Sequence, residues 1–322
     1  MVRHLPVLAP PAAGGFRLSR RGNRALWLAM LLVPPALFFT VFVAYPIASA
    51  LVYSFYGWVG VRRTTFVGLA NFQRLLGQQP FQGWTINAFW HNVIVFVILL
   101  IIQDGLALLL AILLARNPRG TRFYQAVFFL PVTLSLVIVG FQWKLFLNPI
   151  FGIVNKLLRV AGLGALAQPW LGQAETALLA LILVNAWRWL GFPTMVFLAG
   201  IRAIPEEYFE AARLDGANEW QVVRHVTWPL LAPAVTIIVI LTFIGSFNWF
   251  ELPYVMAGVD GPPNRSTDVL GLYFYRTAFG EISAGLQEFG LGSALAVLMF
   301  SVILTVSIVW TRILRRREVE LA

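Results

Sequence analysis

Asn92-Val93-Ile94-Val95-Phe96-Val97-Ile98-Leu99-Leu100-Ile101-Ile102-Gln103-Asp104-Gly105-Leu106-Ala107-Leu108-Leu109-Leu110-Ala111-Ile112-Leu113-Leu114-Ala115 contains one ionisable side chain, Asp104. A membrane-crossing helix needs about 20 mostly apolar residues, so this stretch reads as one complete span. Five more of the same kind lie on either side of it: Leu26–Val52, Phe123–Phe146, Thr176–Ala199, Leu230–Pro253 and Leu291–Leu314. The segments between them are more polar and carry Gly, Pro and charge. Composition agrees, because 59% of the 322 residues are hydrophobic and only 12% are charged. That is too little polar surface to keep a chain of this length in water. The sequence therefore predicts an all-α polytopic membrane protein of about six transmembrane helices.

The net charge of +10 would suggest nucleic acid in a soluble protein. Here the basic residues sit at the ends of apolar runs, and no basic, aromatic-interleaved face exists, so no nucleic acid is expected. Counting them by loop gives the topology. Arg3, Arg17, Arg20, Arg21, Arg24, Arg116, Arg119, Arg122, Arg202, Arg213, Arg224, Arg312, Arg315, Arg316 and Arg317 fall on the side of both termini. Arg62, Arg63, Arg74, Lys156, Arg159, Arg265 and Arg276 fall on the other, in longer loops. The positive-inside rule then places both termini in the cytoplasm of a cell membrane. Trp58, Trp84, Trp90, Trp143 and Trp170 are expected at the outer interface. The domain organisation expected is a cytoplasmic tail over 1–25, a six-helix domain over 26–315 and a second tail over 316–322. Ser19-Arg20-Arg21 with Ala48-Ser49-Ala50 resembles a signal sequence and its cleavage site. The apolar run from Ala25 to Phe55 is much longer than a signal's 7–15 residues, so it reads as a retained first span. Cysteine is absent, which excludes disulfides, thiolate metal sites and cysteine nucleophiles. His4, His91 and His225 are too scattered for a histidine metal site, and no paired catalytic residues stand out.

The most informative loop lies between spans four and five and runs from Ile204 to Leu230. Pro205 suits the first turn of a helix, and Glu206 and Glu207 complement the positive end of its dipole. Gly216 can take the left-handed conformation that ends a helix. Glu219 to Val226 forms a second short helix, and Pro229 opens span five. Glu206, Glu210 and Arg213 share one face by their spacing, and Ala211 and Ala212 leave the backbone open to close approach. An interfacial amphipathic helix would carry Lys and Arg on its polar face. Acids and a glycine turn suit a rigid plug for a protein cleft better.

Glu210-Ala211-Ala212, three residues, Gly216 and then Pro229 resemble the loop signature of ABC importer permeases. Ile204-Pro205-Glu206-Glu207-Tyr208-Phe209-Glu210-Ala211-Ala212-Arg213-Leu214-Asp215-Gly216-Ala217 is similar to the carbohydrate-uptake group in particular. So are Val67-Gly68-Leu69-Ala70-Asn71-Phe72, Phe128-Phe129-Leu130-Pro131 with Trp143, Gly152-Ile153-Val154-Asn155, and Trp187 with Leu198-Ala199-Gly200. Tyr45-Pro46 and Ser54-Phe55 look like the maltose-type F or glycerol-3-phosphate-type A subunit, without the two extra N-terminal spans of some maltose permeases. The resemblance implies a type I ABC importer permease fold, with Glu206, Glu210, Ala211, Ala212, Arg213, Asp215 and Gly216 coupling it to a separate ATPase. It also implies a second, non-identical permease, an ATPase dimer holding ATP and Mg, an extracytoplasmic substrate-binding protein and a surround of membrane lipid. The chain has no Gly-x-x-x-x-Gly-Lys-Ser/Thr loop and is not expected to be its own motor or to hold a cofactor.

An ionisable residue at bilayer depth is a functional candidate. Asp104, midway along span two, and Arg188, midway along span four, are expected to form a buried ion pair, with substrate contact by Arg188 or simple snorkelling as the alternatives. Stacking rings and hydroxyl-matching groups for a sugar are offered by Asn185, Trp187, Arg188 and Trp189. On span five they are Thr242, Ser246, Asn248, Trp249 and Glu251, mostly toward its outer half. Pro131 and Pro193 are expected to kink their helices. Asp260, Asp268, Glu281 and Glu288 read as solvated acids or contacts for an external partner. A neutral mono- or oligosaccharide is the expected cargo. Glycerol-3-phosphate would need more deep cations, and an ion-coupled transporter would often show inverted repeats, which are not evident.

Overall fold

The computed structural model describes residues 20–60, 62–280 and 288–315, with side chains described from Leu26 to Ile313. Both expected tails therefore lie outside the described residues, except that helix already begins at Arg20. By backbone contacts the chain forms two units, Met1–Ser49 and Ala50–Ala322. The first is helical: α1 (Arg20–Phe39) runs through a π-turn at Thr40–Ala44 into α2 (Tyr45–Tyr53), which carries on past the unit boundary. Leu26–Tyr53 has a hydropathy of 2.3, and its large side chains, such as Leu31 and Phe42, are exposed. Lipid is the solvent such a surface requires.

The second unit begins with a short hairpin, β1 (Tyr56–Val59) antiparallel to β2 (Arg62–Phe66). The helices that follow are α3 (Ala70–Gly77), α4 (Phe81–Ile98), α5 (Gly105–Ala115), α6 (Thr121–Phe129), α7 (Leu136–Phe146) and α8 (Ile153–Val160). After these come α9 (Ala174–Trp189), α10 (Gly191–Arg202), α11 (Glu206–Leu214), α12 (Glu219–Val222) and α13 (Trp228–Leu230). The last are α14 (Ala232–Phe247), α15 (Glu251–Met256), α16 (Leu270–Phe279) and α17 (Phe289–Arg315). Among the described residues three helices are long and apolar enough to cross a membrane, and the number of spans rises to six when each of three bent helix pairs is counted as one. α4 and α5 join through a π-turn into Phe81–Ala115, eleven residues longer at the start than expected; α17 is the other straight span of this unit.

Span three is broken between α6 and α7 with a 96° bend, and span four between α9 and α10 with a 45° bend. The helical segment Glu219–Leu230 meets α14 at 70°. Pro131 sits in the 3₁₀ segment Leu130–Thr133 that interrupts span three. Pro193 lies four residues beyond Trp189, where α9 stops. A proline ring crowds the carbonyl four residues back and offers no N–H to it, so the expected kink appears at Leu190 and not at the proline itself. Span five ends at Phe247, earlier than expected: Asn248 and Trp249 lie in a turn, and Glu251 opens α15.

Packing follows the apolar faces. Phe96 of α4 meets Phe243 of α14 edge-on at 5.3 Å, and Leu291 and Leu295 of α17 join the same cluster. Ala107 and Ala111 let α5 lie close to Phe197, Leu198 and Ile201 of α10. Buried polar residues then fix the register. Asn92, fully buried, donates to Ser246 O at 2.6 Å and accepts from Leu270 N at 2.8 Å. Asn71 donates to Ser54 O and Tyr56 O at 2.8 and 3.0 Å, holding the hairpin base. Asn155 receives Trp170 Nε1 at 2.8 Å and donates to Gln168 O at 3.0 Å, closing the loop after span three.

Candidate functional site: a loop helix and a membrane cavity

α11 carries the expected loop signature. Pro205 precedes it in an extended conformation, and Glu206 and Glu207 occupy its first turn. Gly216 has φ +80°. Its N–H donates to Arg213 O at 3.0 Å, and that of Ala217 to Ala212 O at 2.9 Å, closing the helix through a left-handed residue that suits glycine. A reciprocal cap follows: Gln221 N donates to Asn218 Oδ1 at 2.9 Å, and Asn218 N donates to Gln221 Oε1 at 2.7 Å. This starts α12, and the helix continues through a π-turn to Leu230.

Glu206 and Arg213 turn inward onto a cavity of about 300 Å³, with Phe209 between them. Glu210 does not line that cavity and makes no ion pair among the described residues; it is exposed beside Ala211 and Asp215. Tyr208, Leu214 and Trp220 are exposed as well, Leu214 by 89%. The loop thus offers an acid, small residues and three uncovered apolar side chains on a rigid support. Those apolar side chains were not singled out from sequence, although large hydrophobes flanking an acidic helix are the signal that could have found them. Two side-chain contacts tie the loop to the end of α5: Arg116 Nη2 to Glu219 Oε2, and Arg202 Nη2 to Asn117 Oδ1, both at 3.0 Å.

The second feature is a cavity of about 390 Å³ between spans two, three, four and five. Seven of the nine expected pathway residues line it: Asn185, Trp189, Thr242, Ser246, Asn248, Trp249 and Glu251. Gln103, unforeseen, joins them. Its Oε1 and the Trp249 Nε1 are buried without a hydrogen-bond partner among the described residues. Amide, hydroxyl and carboxylate groups beside indole rings on the wall match a ligand rich in hydroxyl groups. The volume suits a small ligand.

Trp187 and Arg188 do not line this cavity. Trp187 turns to Trp143, ring centroids 5.4 Å apart. The expected Asp104–Arg188 ion pair does not form. Asp104 accepts instead from Thr242 Oγ1 at 2.8 Å and from Gln103 Nε2 at 3.0 Å. Arg188 lies at the end of α9, where its Nη2 faces Leu134 O at 3.3 Å and Val132 O at 3.5 Å. Thr242 reaches Asp104 because α14 packs against the π-turn of span two that carries it.

Two of the loop acids also depart from expectation. Asp268 is fully buried and paired with Arg276 through Nη2 at 2.8 Å and Nη1 at 3.2 Å. Burial pushes its carboxyl above the ordinary range, opposed by the Arg276 hydrogen bonds. Glu288 is held by Arg74, with Nη1 to Oε2 at 2.5 Å. Glu281 lies outside the described residues. Among those that are described, no group of His, Asp and Glu is arranged to hold a metal ion.

This architecture, broken spans around a central cavity with a capped helical loop, is that of the type I ABC importer permeases. Residues 105–319 match the family described as the binding-protein-dependent transport system inner membrane component, and the chain belongs to that family. It is 31% identical over 299 residues to the probable starch degradation products transport system permease protein AmyD of Thermoanaerobacterium thermosulfurigenes, covering 93% of this chain and 97% of that one. It is also 31% identical to the arabinooligosaccharides transport system permease protein AraP of Bacillus subtilis, over 86% and 84% of the two chains. A solved bacterial ABC transporter that imports alginate shares the fold at a TM-score of 0.77, over 91% and 96% of the two chains, at 24% identity.

Proposed function

We propose that this permease subunit passes a neutral sugar or oligosaccharide across the cell membrane by alternating access. The observation that carries the cargo class is the cavity, walled by Asn185, Trp189, Thr242, Ser246 and Glu251 and with no basic side chain on its wall. Relatives named for starch products, arabinooligosaccharides and trehalose or maltose support the same class. A phosphate ester would leave its charge without a cation there.

In this reading both termini and α11 are cytoplasmic, in agreement with the bias of arginine toward that side. α11 seats in a groove of a separate ATPase, with Glu210 toward a basic residue, Ala211 and Ala212 at the contact and Gly216 shaping the turn. Closure of an ATPase dimer, which holds ATP and Mg, draws the loops of two non-identical permeases together and turns the cavity outward. Hydrolysis reverses it. An extracytoplasmic binding protein delivers the sugar. Purifying the tagged chain with its native neighbours tests this: a second permease and an ATPase are expected in roughly 1:1:2 proportion, following the two-motor arrangement. A chain that purifies alone and still transports with no ATPase present would overturn it.

A further inference from the structure

We propose that Arg188 is a positioning residue that supplies hydrogen-bond donors to the break in span three and thereby fixes spans three and four to each other beside the cavity. A helix interrupted inside a bilayer leaves carbonyl groups without their intrahelical N–H partners, and no water is at hand to replace them. Span three is interrupted in this way. Its 3₁₀ turn ends at Thr133, and Leu134 and Ser135 are extended, with ψ of 142° and 134°. Carbonyls in such a stretch no longer point along a helix axis. The Arg188 Nη2 reaches two of them, Val132 O and Leu134 O. One guanidinium nitrogen, Nη2, faces both carbonyls, and its charge strengthens each contact, while Nε is buried without a partner among the described residues.

A second, independent feature joins the same two breaks. Gly191 follows Leu190, where span four bends, and a Cβ there would lie 2.2 Å from Phe128 O and 2.7 Å from Phe129 Cα. The backbone of span four at its bend therefore touches the last turn of α6, just before the interrupted stretch that Arg188 reaches. Leu136, just past the break in span three, and Asn185 and Trp189, flanking Arg188, all line the cavity. Arg188 itself does not, although Trp189 beside it does. The arrangement makes its side chain a brace in the wall and not a contact for cargo. The inference rests on the fold alone and holds whatever the transported molecule is.

The chain has no cysteine, so Leu134→Cys offers one attachment point in this subunit for a nitroxide spin label at the break. The assembled complex, without any substrate, is compared with Arg188, Arg188→Lys and Arg188→Met. The immobilised component of the spectrum is expected to be lost in Arg188→Met and largely restored in Arg188→Lys, whose ammonium can still donate to both carbonyls. Gly191→Ala, with Arg188 intact, is expected to lose it as well, which keeps the test open should Arg188→Met fail to insert. A label at Leu157→Cys in α8 is expected to be unaffected throughout. A residue that only meets cargo leaves the substrate-free spectrum unchanged, so an unchanged spectrum in Arg188→Met overturns the assignment. A change at both label positions, reporting general loss of structure, overturns it equally.

Discussion

The loop helix α11 and the membrane spans use polar residues in opposite ways. On α11, Glu210 and Asp215 are exposed, and no ion pair holds either among the described residues. Within the spans, Asn92 and Asp104 are buried and each accepts or donates to a neighbouring element. Water satisfies a polar group on the loop at no cost, so that group is free to meet a partner. Lipid satisfies nothing, so a polar group in a span must find its partner inside the protein. Polar residues on the loop are therefore the ones the proposed coupling role uses, and those in the spans bear first on architecture.

That contrast can be broken or sharpened by substitution, ranked by effect on stability. Arg276→Met leaves the Asp268 carboxylate buried with Arg265 Nη1 3.8 Å away, beyond hydrogen-bonding range. Loss of a buried pair of this kind costs about 3–5 kcal/mol, read as a lower unfolding temperature of the detergent-solubilised complex. Gly216→Pro cannot keep φ at +80° and removes an N–H, so the end of α11 is strained by about 3 kcal/mol. Uptake is expected to be lost while the amount of inserted protein is unchanged. Asn92→Ala strands Ser246 O and Leu270 N and is expected to destabilise by about 1–3 kcal/mol. Thr242→Val removes one interhelical hydrogen bond, worth roughly 0.6–2 kcal/mol in a membrane. Glu210→Ala, at the end of the series, should leave the unfolding temperature unmoved and lower uptake together with substrate-stimulated ATP hydrolysis. Wild-type uptake by both Glu210→Ala and Gly216→Pro would remove α11 from the coupling role, and the contrast with it.

Legibility followed the range of the interactions. The ends of α11 are set by Pro205 and Gly216, both within a few residues of the backbone they shape, and such local signals can be read from the chain. Seven residues that line the membrane cavity were legible by residue type, since polar and aromatic side chains in and beside a span are uncommon. Gln103 was passed over because Asp104, its neighbour, drew the attention an ionisable residue commands. The partner of Asp104 was misjudged for a different reason. Charge complementarity pointed to Arg188, but Thr242 is 138 positions away in sequence, and no periodicity within span two indicates which helix it faces. Asp268 and Glu288 looked solvated because loop acids usually are; Arg276 and Arg74 pair with them only after α16, α17 and α3 have packed.

The sequence by itself determined that this chain lives in lipid, how many times it crosses, and where its loop helix begins and ends. These follow from transfer of apolar side chains and from capping, which act on residues close together in the chain. Tertiary structure alone decided which spans are broken against one another, where Arg188 directs its Nη2, and which polar residues line a common cavity. Those are set by packing between helices far apart in sequence, where the absence of water obliges each buried polar group to take whichever partner the bundle brings within reach.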